Sequence, residues 1–189
     1  MEIQNESKFK ETKLSGEDIF RGRVLHVVRD EVALPDGSQS VREYCRHIGA
    51  VCVIPILSDG SVIMERQYRY AVGRELLEIP AGKLDSADEE PLAAAARELR
   101  EETGATANKY TFIGKMLGSP AILSEVVYMY IAEELSFGER DLDDGELLDV
   151  EKIPLSRLHS MVMNGEIEDS KTQIAVLKAW ELRHTDKSV

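Results

Sequence analysis

The chain predicts an α/β fold: an α/β/α sandwich around a mixed sheet, preceded by a small N-terminal β unit. Three observations predict it. Short apolar runs bounded by turn residues recur along the chain, helical patterns occur once near the middle and twice at the end, and no regular strand–helix–strand alternation points to a purely parallel sheet. With 189 residues the chain suits one domain, or one domain with a small appendage, and can bury a substantial core.

Residues 1 to about 15 are charged and aperiodic and read as a flexible lead or an edge strand. Val24 to Leu34 and Ser40 to Ile48 read as two strands joined by Pro35-Asp36-Gly37-Ser38, whose Pro, Asp and Gly suit a turn. These form the β unit, residues 1–48, ahead of a main domain at 49–189. Ala50 to Leu57 (AVCVIPIL) is apolar throughout, as in a strand buried on both faces, and turns through Ser58-Asp59-Gly60-Ser61 into Val62 to Tyr68. That hairpin is expected at the centre of the sheet. Leu76 to Ile79 forms a short strand that Pro80 ends. A helix follows from Glu89 or Glu90, with Pro91 in its first turn, to Thr103, and Gly104 supplies the left-handed cap. Further strands are expected at Tyr110 to Leu117, Val126 to Ala132 and Leu147 to Ile153. Helices at Leu155 to Asn164 and Asp169 to about Arg183 close the chain, the second with Ile174, Leu177 and Trp180 on one side.

A net charge of −12 argues against a nucleic-acid backbone as partner, because phosphate binding needs clustered Lys and Arg. No apolar run approaches the roughly 18 residues of a membrane span, and the polar N-terminus has no apolar signal region. Cys45 and Cys52 lack CxxC spacing and read as ordinary buried thiols, so the expectation is a soluble, unprocessed protein of the reducing cytoplasm. His26, His47, His159 and His184 have no ligand spacing among them and read as structural.

The most informative segment is the middle helix, where RELREETG runs from Arg97 to Gly104. At about 100° per residue Glu98 and Glu102 stack one turn apart with Glu101 beside them, while Leu92, Ala95, Ala96 and Leu99 line another face. Most charge runs are solvated faces. Here five defined positions, each matched at roughly 6 to 7% by average usage, give a chance match on the order of one in a million per register. Carboxylates gathered on one flank suit a divalent cation such as Mg²⁺, with the ion screening an anionic substrate.

From Gly82 to Ala105 the segment resembles the Nudix box: Gly, five residues, Glu, seven residues, then Arg-Glu-aliphatic-any-Glu-Glu-any-Gly-aliphatic. Two departures stand out. Gly82 precedes Glu89 by six intervening residues, so the loop Lys83 to Asp88 carries one extra, and the last aliphatic position holds the small Ala105. The family hydrolyses nucleoside diphosphates linked to another moiety, and the resemblance implies the same sandwich fold. It also implies Glu98 and Glu102 as metal ligands, Glu101 as a third ligand or a water-mediated partner in the catalytic centre, and the Ala81 carbonyl as a further ligand. Arg97 is expected on the opposite flank, pairing with a neighbour such as Glu89.

Over about residues 20 to 182 the chain is similar to the ADP-ribose pyrophosphatase branch. The approach QYRYAVGRELLEIPAGKLD, Gln67 to Asp85, implies Arg69 as a diphosphate contact and Glu78 near the metals. Ser119 to Glu125 places Pro120 16 residues after Gly104, and Pro120 and Glu125 join the expected substrate-binding residues. Val28 to Val51 resembles an N-terminal unit that swaps across a homodimer and lends an Arg, best matched by Arg42. The branch also carries a glutamate on a loop after the box as general base. The run Glu139 to Glu146 occupies that place, with Glu146 first and Asp144 second. Read without the resemblance, Arg69 is a strand edge, Pro120 a turn, Arg42 a surface charge and the acidic run a solvated loop.

Hydrolysis of a diphosphate needs neutralised phosphates, an aligned water and a proton acceptor. Two or more Mg²⁺ (or Mn²⁺) ions, roughly 3.5 to 4 Å apart, can supply most of this. The resemblance therefore implies ADP-ribose cleaved to AMP and ribose 5-phosphate. Three readings compete: another nucleoside diphosphate sugar such as GDP-mannose, a non-catalytic ADP-ribose-binding module, and a structural protein that binds nothing. The intact box glutamates and the short stretch after Trp180, too small for a DNA-binding domain, weigh against the module. Phe20, Tyr44 and Tyr70 are candidate stacking surfaces for the base.

Overall fold

The structure is a computed structural model that describes residues 7–142, 145 and 147–185. It divides into two compact units. The first holds the described residues through His47 together with Ser119–Glu125, and the second holds Ile48–Gly118 and the described residues from Val126 on.

The first unit is an antiparallel meander of β1 (Thr12–Arg21), β2 (His26–Ala33) and β3 (Gln39–Cys45). Alternation decides its faces: Val28, Asp30 and Val32 are buried while Arg29 and Glu31 between them are exposed. The turn between β2 and β3 forms as its residues require, with the Asp36 carboxylate accepting from the Ser38 N–H at 2.9 Å and its hydroxyl at 2.6 Å. The segment 119–125 joins this unit through backbone bonds: Cys45 N–H donates to the Ile122 carbonyl at 2.8 Å and Ser124 N–H to the Cys45 carbonyl at 3.0 Å. The aperiodic lead thus becomes, from Thr12, a full strand. Its pattern gave no strand period because all ten residues are exposed.

The second unit contains two sheets where the sequence suggests one. One is mixed, in the order β7 (Ala81–Lys83), β4 (Ala50–Pro55), β9 (Val127–Phe137), β8 (Ala105–Met116), with β4 and β9 parallel. The other is antiparallel, β10 (Leu148–Pro154), β5 (Ser61–Arg69), β6 (Arg74–Glu78). The expected hairpin of Ala50–Leu57 with Val62–Tyr68 therefore does not form as a ladder. One bridge, Ile56 to Val62, closes the turn, and β4 and β5 then part into different sheets. An apolar run signals burial but does not name the strand's neighbours.

The sandwich is legible in β4. Cys52, Ile54 and Ile56 face a core with Leu158 of α2 (Leu155–Met163) and Ala175, Val176 and Ala179 of α3 (Ser170–Thr185). Val51 and Val53 face Ala94, Ala95 and Leu99 of α1 (Pro91–Thr103). On α1 the buried stripe is Ala94, Ala95 and Leu99, whereas Leu92 is exposed. Cys52 is buried, and its desolvated thiol is pushed up to about 12; Cys45 is half-buried. His159 and His184 both stack on Trp180, with ring centroids 4.5 and 3.8 Å away. No described helix is long and apolar enough to cross a membrane.

Candidate active site

Helix α1 starts at Pro91, whose missing N–H costs nothing in the first turn, and ends at Gly104, whose φ of 72° a side chain would resist. Its last turns carry the box glutamates. Leu99 fills the core on one flank, which orients Glu98 and Glu102 toward the bend where β6 gives way to β7. Pro80 ends β6, so the backbone of Ala81 and Gly82 turns to meet them.

Glu102 is 5% exposed and accepts the Ala81 N–H at 3.0 Å. The helix buries this expected metal ligand against the bend. At Gly82 a β-carbon would collide with the Glu98 carboxylate, so the box glycine is where the backbone and this side chain approach closely, and its φ is not left-handed. Ala81, Glu98 and Glu102 thus meet within one small volume.

Arg97 departs from expectation. It does bond Glu89, Nε to Oε1 at 3.3 Å, but it also donates to Glu98 at 2.8 Å, Glu101 at 3.2 Å and the Lys83 carbonyl at 3.1 Å. The guanidinium lies among the box carboxylates instead of on the opposite flank, because its long stem lets it reach across the turn. Burial disfavours its charge, but the bonds to Glu89, Glu98 and Glu101 outweigh that and raise its pKa. Glu89 is held below the usual carboxylate range by the Asp85 N–H at 2.6 Å and by Arg97. The extra residue in the loop 83–88 therefore does not detach Glu89 from Arg97. Among the described residues no three His, Cys, Asp or Glu side chains converge as a ready-made metal cage. Arg97 bonds Glu98 and Glu101 instead. The donors themselves, carboxylates and a backbone carbonyl, fit a hard divalent cation that keeps several waters.

A second cluster lies where β5 and β6 pair. Arg69 grips Glu78 with two parallel bonds, Nε to Oε1 at 2.7 Å and Nη2 to Oε2 at 2.8 Å. Glu78 is 3% exposed, and burial raises its pKa, but Arg69 and Lys171 more than offset this and hold the carboxyl below its ordinary value. The Glu78 bond is the main cause that raises the Arg69 pKa, with the fields of Asp169 and Glu102 adding to it. Sequence reasoning missed Lys171 and Asp169. The available signal was the spacing Asp169-x-x-Thr172: the Asp169 carboxylate accepts the Thr172 N–H at 2.9 Å at the start of α3.

The remaining candidates belong to the first unit or fall outside the described residues. Arg42, Pro120 and Glu125 belong to the first unit. Arg42 donates to Glu11 at 2.9 Å and Ser40 at 2.9 Å; Glu125 faces His47 at 3.5 Å. Pro120 sits in a turn closed by Ile122 and Leu123 N–H groups on the Ser119 carbonyl, at 3.0 and 2.9 Å. Asp144 and Glu146 lie outside the described residues, although the loop's first part is tied to α1 by Asp141 N–H on the Glu101 carbonyl at 3.0 Å.

This geometry can be set beside known proteins. The ADP-ribose pyrophosphatase of Bacillus subtilis is 41% identical over 88% of this chain and 91% of its own length. The methanol dehydrogenase activator of Bacillus methanolicus is 39% identical over 89% and 91%. A crystal structure of an ADP compounds hydrolase superposes with a TM-score of 0.84 at 26% identity, covering 95% of this chain and 97% of that one. A NUDIX domain model matches residues 46–173, which span β4 to the start of α3 and every box residue described above. The chain belongs to the Nudix family.

Proposed function

We propose that the protein hydrolyses the diphosphate bond of ADP-ribose to AMP and ribose 5-phosphate. The observation that carries this reading is the meeting of the Ala81-Gly82 backbone with Glu98 and the buried Glu102, beside Arg69 held in a bidentate grip by Glu78. The name of the B. subtilis relative supports ADP-ribose as substrate. Glu98, Glu101, Glu102 and the Ala81 carbonyl would hold two or more divalent ions, Mg²⁺ or Mn²⁺, which when bound neutralise the diphosphate and acidify the attacking water. Arg69 contacts the diphosphate. A carboxylate of the acidic loop, Glu146 before Asp144, takes the water proton as the new P–O bond forms and the bond to the bridging oxygen breaks. Pro120 and Glu125 shape the substrate-binding loop.

The assay is a panel of nucleoside diphosphate sugars with Mg²⁺ and with a chelator. AMP and ribose 5-phosphate formed from ADP-ribose, at a kcat/KM well above that for GDP-mannose, is expected. A preference for GDP-mannose would move the activity to that sugar nucleotide, and binding without turnover would make the chain a sensor.

The protein is also proposed to be a homodimer of the cytoplasm. Its first unit is a three-stranded sheet that exposes Ile19 and Phe20 on β1, with Phe9 exposed just before it, the kind of apolar surface a second subunit covers. Arg42 would enter the partner's site from there. A dimeric mass by light scattering is expected, and a monomer in an active sample rejects this assembly.

A further inference from the structure

Glu78 has more positive charge around it than one carboxylate needs. Arg69 already satisfies both oxygens, yet Lys171 Nζ bonds Oε2 as well and reaches Asp169 at 3.1 Å. Lys171 is itself largely buried, at 14% side-chain exposure, which is uncommon for a lysine without a role. Its position is fixed from two sides. Asp169 accepts from the Thr172 N–H at the start of α3, and Thr172 Oγ1 accepts the Ile79 N–H at 3.0 Å, so the helix terminus is bonded to the residue after Glu78. Lys171 and the 43% exposed Arg69 thus hold the same carboxylate.

This order has a consequence for an anion. Arg69 spends Nε and Nη2 on Glu78 and keeps Nη1 for another acceptor. Glu78 alone would offset the charge of Arg69 and repel a diphosphate. Lys171 is shared with Asp169, so two cations and two carboxylates balance, and what Lys171 adds is a second hold on Glu78 Oε2 that keeps the guanidinium rigidly aimed.

We propose that Lys171 is a positioning residue for diphosphate binding: it locks the Glu78 carboxylate in the orientation that aims Arg69 at the substrate. The proposal rests on the reading of Arg69 as a diphosphate contact. It concerns substrate affinity and leaves proton transfer to other groups.

The test is a double-mutant cycle on the full chain with ADP-ribose at saturating Mg²⁺, using Lys171→Met, Arg69→Met and the pair, with thermal unfolding of each. Lys171→Met is expected to raise KM about tenfold with kcat within about threefold, on the scale of couplings inside one hydrogen-bonded network. In the Arg69→Met background the same change is expected to raise KM less than about twofold. Equal effects in both backgrounds overturn the proposal, because Lys171 would then act independently of Arg69. A normal KM in Lys171→Met beside a raised KM in Arg69→Met overturns it while preserving the role of Arg69. An unchanged KM in Arg69→Met removes the underlying reading and the proposal with it. Where Lys171→Met fails to fold, Lys171→Gln carries the cycle with the same outcomes.

Discussion

Glu102 and Gly82 show how much of the site is decided by single side chains, or by the absence of one. Glu102→Gln keeps an oxygen for the Ala81 N–H but removes a ligand charge, so turnover is expected to fall about 100-fold or more. Because the position is buried, an unfolding cost of about 1 kcal/mol accompanies the loss. Wild-type kcat at saturating Mg²⁺ would remove Glu102 from the metal site. Gly82→Ala tests the neighbouring contact: the new methyl must displace the Glu98 carboxylate, and activity is expected to drop at least about tenfold while the melting temperature moves by only a few degrees, since the bend is at the surface of the core. Activity retained with Glu98 in place would show that the bend yields more readily than the carboxylate. Both residues were legible in the box pattern. The burial of Glu102 was not, because a spacing rule gives the face of a helix and not what covers it. Lys171 was illegible for a related reason. Its partners Glu78 and Asp169 come from β6 and from the start of α3, and no local period links positions 93 residues apart.

Among the elements, α1 was legible from cap to cap because Pro91, the apolar stripe and Gly104 all act locally. The strands were less so. β8 begins at Ala105, right after the Gly104 cap, where the alternation of Ala105-Thr106-Ala107-Asn108 is too short and its apolar residues too small to stand out; pairing with β9 makes it a strand. β7 is three residues long and exists only through β4. The β8–β9 ladder also offers an electrostatic test away from the site. Glu133 is paired directly opposite Lys109, bonded at 2.7 Å, and meets Arg183 from α3. Lys109 first, then Arg183, holds its carboxyl below the ordinary value of 4.5 despite partial burial. A carboxyl with a depressed folded pKa adds stability that is complete above the unfolded value and is lost as pH falls through the folded one. Glu133→Gln is therefore expected to melt about 1 to 3 °C below wild type at neutral pH, since a partly exposed pair is worth about 1 kcal/mol or less. The gap should close in acid well below pH 4.5. A gap that persists in acid would mean that the change acts through packing.

At the scale of the whole molecule, the division into two units turns the proposed shared site into a complementation experiment. Arg42→Ala chains mixed with Glu102→Gln chains are expected to regain activity once subunits exchange, because one of the two sites in a mixed dimer then draws Arg42 and Glu102 from unmutated chains. Absence of recovery after verified exchange would leave Arg42 to its bonds with Glu11 and Ser40 on its own chain. The second unit carries the larger core, with a layer of helix on each face of β4, and this was foreseeable from an apolar run too long to face water on either side. That two sheets share the work of one was not, since a turn of Ser58-Asp59-Gly60-Ser61 is equally compatible with a ladder and with a crossing.

Arg97 gives this molecule a resident counterion. Four neighbouring acidic side chains, Asp85, Glu89, Glu98 and Glu101, are held around one guanidinium, so their mutual repulsion is already answered before any metal arrives. Under the proposed metal site, folding and loading would be separable events, and a divalent cation would take over carboxylates that a built-in monovalent one has kept in place. Chelation should therefore silence the enzyme while shifting its melting temperature by only about 2 °C or less, and in an Arg97→Met chain the same chelator should lower it by several degrees more. A wild-type chain that unravels with its metal would show that the resident charge is too weak a substitute. If it does not, a cell can make this protein in full during metal shortage and activate it later without refolding a single chain.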